Sequence, residues 1–171
     1  MKQEITLNES VKEAVTTALI RMMKKKPIGE IQIKDLVKIA GVSRSSFYRN
    51  FESKEDVLVK YAEKFSLNFA KSLDDYSSPE EFLIERYRSV KKEKDFFIAL
   101  NKNNLVYFIY RSMDESMTKG ILDSSHLSET EKIYQTSRMI GGTVGIIIEW
   151  INRDFRESEE ELAAMFKDIV R

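Results

Sequence analysis

The chain has 171 residues, 42% of them hydrophobic, enough to bury a core as one domain or as a small head fused to a larger body. It has no cysteine, which excludes disulfides and thiolate metal sites. Its zero formal charge is unevenly spread: residues 1–60 hold 12 Lys or Arg against 8 Asp or Glu, whereas residues 61–171 hold 16 against 20, so a basic N-terminal part that suits an anionic partner precedes an acidic remainder.

Only two prolines and six glycines occur, and strand-like alternation is nearly missing, which predicts an all-α chain of about nine helices. Thr6 with Glu9, or Asn8, caps a first helix whose Val11, Val15, Ala18, Leu19 and Met22 form one apolar stripe. This helix ends in Lys24, Lys25 and Lys26 before Pro27, where cations meet the negative end of the helix dipole. The lysines are also placed to touch DNA phosphates, with the helix-end role favoured.

Next comes Ile31 to Phe51, IQIKDLVKIAGVSRSSFYRNF. Ile33, Leu36, Val37 and Ala40 recur at helical spacing and leave Lys34, Asp35 and Lys38 in water. Gly41 permits a sharp corner, Val42 plugs it, and Ser43 caps a second short helix from Arg44. On that helix Phe47 and Phe51 face inward, and Arg44, Ser45, Tyr48 and Arg49 line the other side. The pair reads as a helix-turn-helix, whose exposed guanidinium, hydroxyl and phenol groups suit phosphates and base edges. A solvated face on a small bundle fits the same spacing.

Ser53 restarts a helix in which Leu58, Tyr61, Ala62, Phe65 and Phe69 continue a buried face to around Leu73. After a polar break at Asp74–Ser78, the run Ser78-Pro79-Glu80-Glu81 opens the next helix. A charged interruption is expected from Ser89 to Asp95, then a short helix with Phe96, Phe97 and Leu100, and another from Leu105 to Ile121. Ser128 with Glu131 caps a long helix to about Asn152, and Ser158 with Glu161 caps the last, through Val170.

The stretch IQIKDLVKIAGVSRSSFYRNFESKEDVL resembles the signature of the tetracycline-repressor (TetR) family of bacterial transcription regulators, in Ala40-Gly41-Val42-Ser43, Phe47-Tyr48, Phe51 and Lys54-Glu55 at unbroken spacing. The resemblance covers about the first third of the chain. It implies an N-terminal three-helix head with the helix-turn-helix (residues 1–53) and a C-terminal helical bundle (residues 54–171) for effector binding and dimerisation. On this reading Arg44, Ser45, Ser46 and Arg49 face the groove of double-stranded operator DNA, while Lys34, Ser43, Tyr48 and Lys54 hold phosphates and set register. Two positions depart from the pattern. Gln32 replaces a common threonine cap, and Asn50 stands where tyrosine or histidine is common.

Several side chains in the body are candidates for an unknown small-molecule effector: Phe82, Tyr87, Phe97, Tyr107, Phe108, Tyr110, Met113 and Met117, with Phe96 beside them. An ordinary core uses the same residues. Gly141, Gly142 and Gly145 lie inside a helical run, each costing about 1 kcal/mol against alanine, which close approach of a second helix offsets. With Ile148, Trp150 and Ile151 they form the expected homodimer interface; packing within one subunit, or room for a ligand, is the alternative. Two recognition helices about 34–36 Å apart then reach successive major grooves.

His126 is the only histidine and has no acid–base constellation around it, so no catalysis, metal or cofactor is expected. The first ten residues lack the apolar run of a secretion signal, and Met139–Ile148 is about ten residues where a bilayer needs about twenty, so a cytoplasmic protein is expected, with no membrane partner. The function so read is ligand-responsive regulation of transcription, as a repressor released by its effector. The rival is a helical small-molecule or protein-binding module without DNA function.

Overall fold

The computed structural model describes residues 7–70, 78–108, 110 and 127–166. Regular structure among them is all helical, in eight α-helices and one 3-10 turn: α1 Leu7–Met23, η1 Ile28–Glu30, α2 Ile33–Ala40, α3 Arg44–Asn50, α4 Lys54–Ala70, α5 Pro79–Lys92, α6 Lys94–Lys102, α7 Glu129–Asn152 and α8 Glu159–Phe166. The helix expected from Leu105 to Ile121 lies mostly outside the described residues, as do Met113, Met117 and His126.

The expected stripe on α1 is the hub of the molecule. Val15, Ala18, Leu19 and Met22 are buried, and α1 packs against α2, α3, α4 and α6. Leu36 from α2, Phe47 from α3 and Leu58 from α4 join Leu19 with no exposed surface at all. Each such side chain contributes about 1.5–3 kcal/mol by leaving water, so these short helices are held by tertiary burial more than by propensity.

In the body α5 lies along α8, α6 packs on α7, and Trp150 of α7 is sealed between them. Its indole N–H donates to the Glu157 carbonyl at 3.0 Å, and its ring meets Tyr87 and Phe155 edge-on at 5.8 and 4.9 Å. Head and body share one continuous hydrophobic cluster.

Helix starts follow the expected chemistry. Ser78 accepts from the Glu81 N–H at 3.1 Å behind Pro79, and Ser128 and Glu131 form a reciprocal capping box. One boundary differs. The charged interruption expected at Ser89–Asp95 is a single residue, Glu93, because Lys91 and Lys92 extend α5 while Val90 is fully buried beneath them. Charges on a helix's outer face do not end it.

Candidate nucleic-acid interface

The helix-turn-helix is built from local devices. Ile33, Leu36, Val37 and Ala40 turn α2 against α1, and the helix stops where Gly41 takes a left-handed backbone, φ 68° and ψ 27°. The Gly41 N–H donates to Lys38 O at 3.3 Å and the Val42 N–H to Val37 O at 3.0 Å, satisfying last-turn carbonyls. A β-carbon on Gly41 would meet nothing within 4 Å among the described residues, so it is the positive φ, not lack of room, that calls for glycine. Ser43 then caps α3, its Oγ accepting from the Ser46 N–H at 3.0 Å. Gln32, by contrast, makes no side-chain cap on α2.

Phe47 and Phe51 are buried, 5.6 Å apart between ring centroids. That fixes the rotation of α3 and leaves Arg44, Ser45, Tyr48 and Arg49 exposed on its outer side. Tyr48 stands edge-on to Phe47 at 5.3 Å and carries the Arg44 guanidinium 5.6 Å from its ring centroid. Its phenol is thereby backed by the core on one side and by a cation on the other. Lys34 is exposed on α2, and Ser43 at the head of α3. Ser46 is less outward than expected, half-buried with its hydroxyl 2.8 Å from that of Ser43, which also lies 2.9 Å from Ser45 Oγ.

Two positions do internal work. Asn50 is buried, its side-chain amide donating to Ser46 O at 2.9 Å, and Lys60 of α4 donates to Asn50 O at 3.0 Å. Together they serve carbonyls that the end of a short helix leaves unpaired. Lys54, expected on a phosphate, directs Nζ to Ile28 O at 2.7 Å and Ile31 O at 2.6 Å. Two of its three N–H bonds are therefore committed to the turn before α2. Lys60 also pairs with Asp56 one turn back at 2.8 Å, a spacing legible in sequence, but its reach to Asn50 O is set by tertiary approach.

Of the expected effector band, three members are packed in the core. Phe82, Tyr87 and Phe97 are buried in the core, and burial pushes the Tyr87 phenol up to about 12. Tyr107 is 64% exposed and stacked 6.5 Å from the half-buried Tyr110, with Phe108 half-buried nearby. None of these residues lines either of two hollows found among the described residues. One is a cleft of about 450 Å³ between α1 and α4, walled by residues including Lys12, Thr16, Ile20, Tyr61 and Phe65 and reaching Glu93. The other is a groove of about 500 Å³ between α7 and α8, walled by residues including Gly142, Gly145, Met165 and Phe166.

The α7 glycines face outward. Gly141, Gly142 and Gly145 are exposed, and a β-carbon on Gly141 or Gly145 would meet nothing within 4 Å among the described residues. Ile148 is half-buried. Trp150 and Ile151, expected on the same interface, instead point inward at 1% and 8% exposure, because α7 turns them toward α5 and α8. Among the described residues no group of three or more His, Cys, Asp or Glu could hold a metal, and no helix is long and apolar enough to cross a membrane.

A short helix pair locked by Gly41 and Ser43, presenting two arginines, a serine and a tyrosine above a helical body, is the build of a helix-turn-helix regulator. Residues 15–61 match the model of bacterial regulatory proteins of the tetR family, and residues 77–171 match that of a transcriptional regulator C-terminal region. The chain belongs to the TetR family of transcription regulators. It is 25% identical over 158 residues to the uncharacterized HTH-type transcriptional regulator YerO of Bacillus subtilis, covering 82% of this chain and 49% of that protein. A second Bacillus subtilis regulator, YxbF, is 25% identical over 172 residues, covering 95% and 45%. The chain thus spans about half the length of the curated relatives it matches. Among solved structures it is similar in fold to a TetR regulator from Streptococcus agalactiae, with TM-score 0.69, 18% identity and 96% and 95% of the two chains covered. The transcriptional regulator FadR of Bacillus subtilis, solved in complex with stearoyl-CoA, aligns with TM-score 0.62 and 16% identity over 92% and 96%.

Proposed function

We propose that this chain is a homodimeric, effector-responsive regulator of transcription that reads double-stranded operator DNA with α3, residues 1–53 serving as head and 54–171 as body. The observation that carries the reading is the outer face of α3, where Arg44, Ser45, Tyr48 and Arg49 are exposed together while Phe47 fixes the helix from below. The arginines supply bidentate donors for guanine edges or phosphates, and Lys34, Ser43 and Tyr48 supply register contacts. Lys54 adds at most its one remaining N–H, so its contribution to phosphate binding is smaller than the sequence alone implied.

One seven-residue helix reads few bases, so a two-fold pair is needed. The outward glycines of α7 support a close helix–helix seam centred on Gly141 and Gly145, with Ile148 at its edge. An effector held in the body would change head spacing and weaken operator binding by about 1–3 kcal/mol. Repression follows the family's commoner mode, and the chain acts in the cytoplasm where its operator is.

The test is binding of purified protein to DNA upstream of its own gene against unrelated DNA, at two salt concentrations. Selective binding that weakens with salt is expected. Arg49→Ala should weaken it by about 1–3 kcal/mol with no change in helicity. Equal, weak binding of both DNAs by wild type would favour a protein- or ligand-binding module instead.

A further inference from the structure

The seam between head and body contains a side chain that bonds to both sides of it. Asn103 caps the C-terminus of α6. Its Nδ2 donates to Ala99 O at 2.8 Å within its own helix and reaches Met23 O at 3.4 Å at the end of α1, while its Oδ1 accepts from the Ile28 N–H at 2.7 Å. Ile28 opens η1, the turn that leads into α2, and the residue before it, Pro27, provides no side-chain cap. The Asn103 oxygen therefore serves as a remote cap, 75 residues away in sequence, for an amide that would otherwise be left without an acceptor.

The same residue is held from its other side, since Ile28 O accepts from Lys54 Nζ at 2.7 Å and from the Ile31 N–H at 3.0 Å. At the body end, Phe96, Phe97, Ala99 and Leu100 of α6 are at most 1% exposed, so α6 is embedded in the core and shifts only with it. The other link from α6 to the end of α1, Lys24 to Asp95 at 2.7 Å, joins side chains 39% and 58% exposed, where screening leaves an ion pair little weight.

We propose that Asn103 is a positioning residue for the DNA-reading head, its carboxamide fastening α6 to Ile28 so that a shift of α6 becomes a rotation of α2 and α3. This rests on the function proposed above only for its meaning on DNA; the mechanical link is measurable without DNA.

The chain has no native cysteine, so spin labels at Lys38→Cys on α2 and Glu80→Cys on α5 report head-to-body distance in intact protein diluted with unlabelled chain. Asn103→Ala should broaden that distance distribution and speed exchange of the Ile28 amide about tenfold, the loss of one hydrogen bond, while the Leu58 amide keeps its protection. Asn103→Asp retains the acceptor and should restore Ile28 protection. On the operator fragment Asn103→Ala should bind about tenfold more weakly, although Asn103 is remote from α3. An unchanged distance distribution, unchanged Ile28 exchange, a uniform rise in exchange that includes Leu58, or unchanged operator affinity overturns the proposal. Wild-type protein that selects no DNA would overturn the function instead and leave the distance and exchange results to decide the link.

Discussion

The ends of α2 and α3 are closed by neighbours in sequence, whereas the body helices are tied to one another by residues far apart. Gly41, Ser43, Asn50 and Lys60 close the ends of α2 and α3 through bonds that span ten residues or fewer. In the body, Lys91 reaches Glu159 at 3.0 Å, Arg88 reaches Glu160 at 3.3 Å and Asn101 bonds Asn152 at 3.0 Å, across separations of 68, 72 and 51 residues. Local closure lets seven- and eight-residue helices hold a fixed mutual angle. Distant closure leaves the body's arrangement dependent on packing.

The largest effects should come from removing a buried ring on either side of this divide. Phe47→Ala and Phe97→Ala each empty a site with no exposed surface and should each cost about 3–5 kcal/mol in denaturant unfolding. They should differ on DNA under conditions where both remain folded: the Phe47 variant releases α3 from its seat and loses operator binding, whereas the Phe97 variant disturbs α3 only through α6 and weakens binding by less. Equal loss in both would mean that the head has no independent rigidity.

The same contrast explains what could be read from sequence. Turn, cap and stripe signals at Gly41, Ser43 and Phe47 lie within a few residues of the structure they specify, and α2 and α3 match expectation almost residue for residue. The capping serines 78, 128 and 158 likewise place three body helices. Lining of a cavity is not local. Phe82, Tyr87 and Phe97 satisfy the same aromatic pattern whether they surround a ligand or fill a core, and their burial is common to both arrangements. Nor does an apolar run announce which face is free. The stretch around Gly145 and Trp150 is uniformly apolar, yet Gly145 is outside and Trp150 inside.

Gly145→Leu sharpens that division. A β-carbon there would meet nothing described within 4 Å, and helix propensity should gain about 1 kcal/mol, so the monomer should keep its helicity. The dimer should dissociate, as read by analytical ultracentrifugation across concentration. A dimer of undiminished strength would move the interface elsewhere.

Caps give a smaller measure. Ser43→Ala removes the acceptor for the Ser46 N–H of a seven-residue helix, and Ser128→Ala removes one from a 24-residue helix; each should cost about 1 kcal/mol of stability. Operator affinity should fall only for Ser43→Ala, because the head has no length of helix to absorb the loss.

The last probe concerns the link from α4 to the junction of α5 and α6, where Tyr61 donates to Glu93 at 2.7 Å. Burial first, and that bond second, raise the phenol's pKa above its ordinary 10.0. A raised value favours the folded state while the phenol is protonated in both states, and this advantage is lost as pH rises above about 10. Wild type should exceed Tyr61→Phe by about 1 kcal/mol at neutral pH and lose that lead above pH 10, in paired denaturant titrations.

The turn joining α7 to α8 carries a consequence for how such sequences drift. Asp154 and Phe155 both adopt left-handed backbone, with φ 55° each, a conformation costing a non-glycine residue about 1–2 kcal/mol. Phe155 tolerates it because its ring packs on Trp150 and its N–H donates to Trp150 O at 2.8 Å. Neither position is then free to vary alone: glycine at 155 relieves the backbone but strips the indole of a neighbour, and a smaller residue at 150 leaves the strain uncompensated. Homologous chains that replace the tryptophan should carry glycine or asparagine at 155, and alignment of a broad sample would show the two columns changing together.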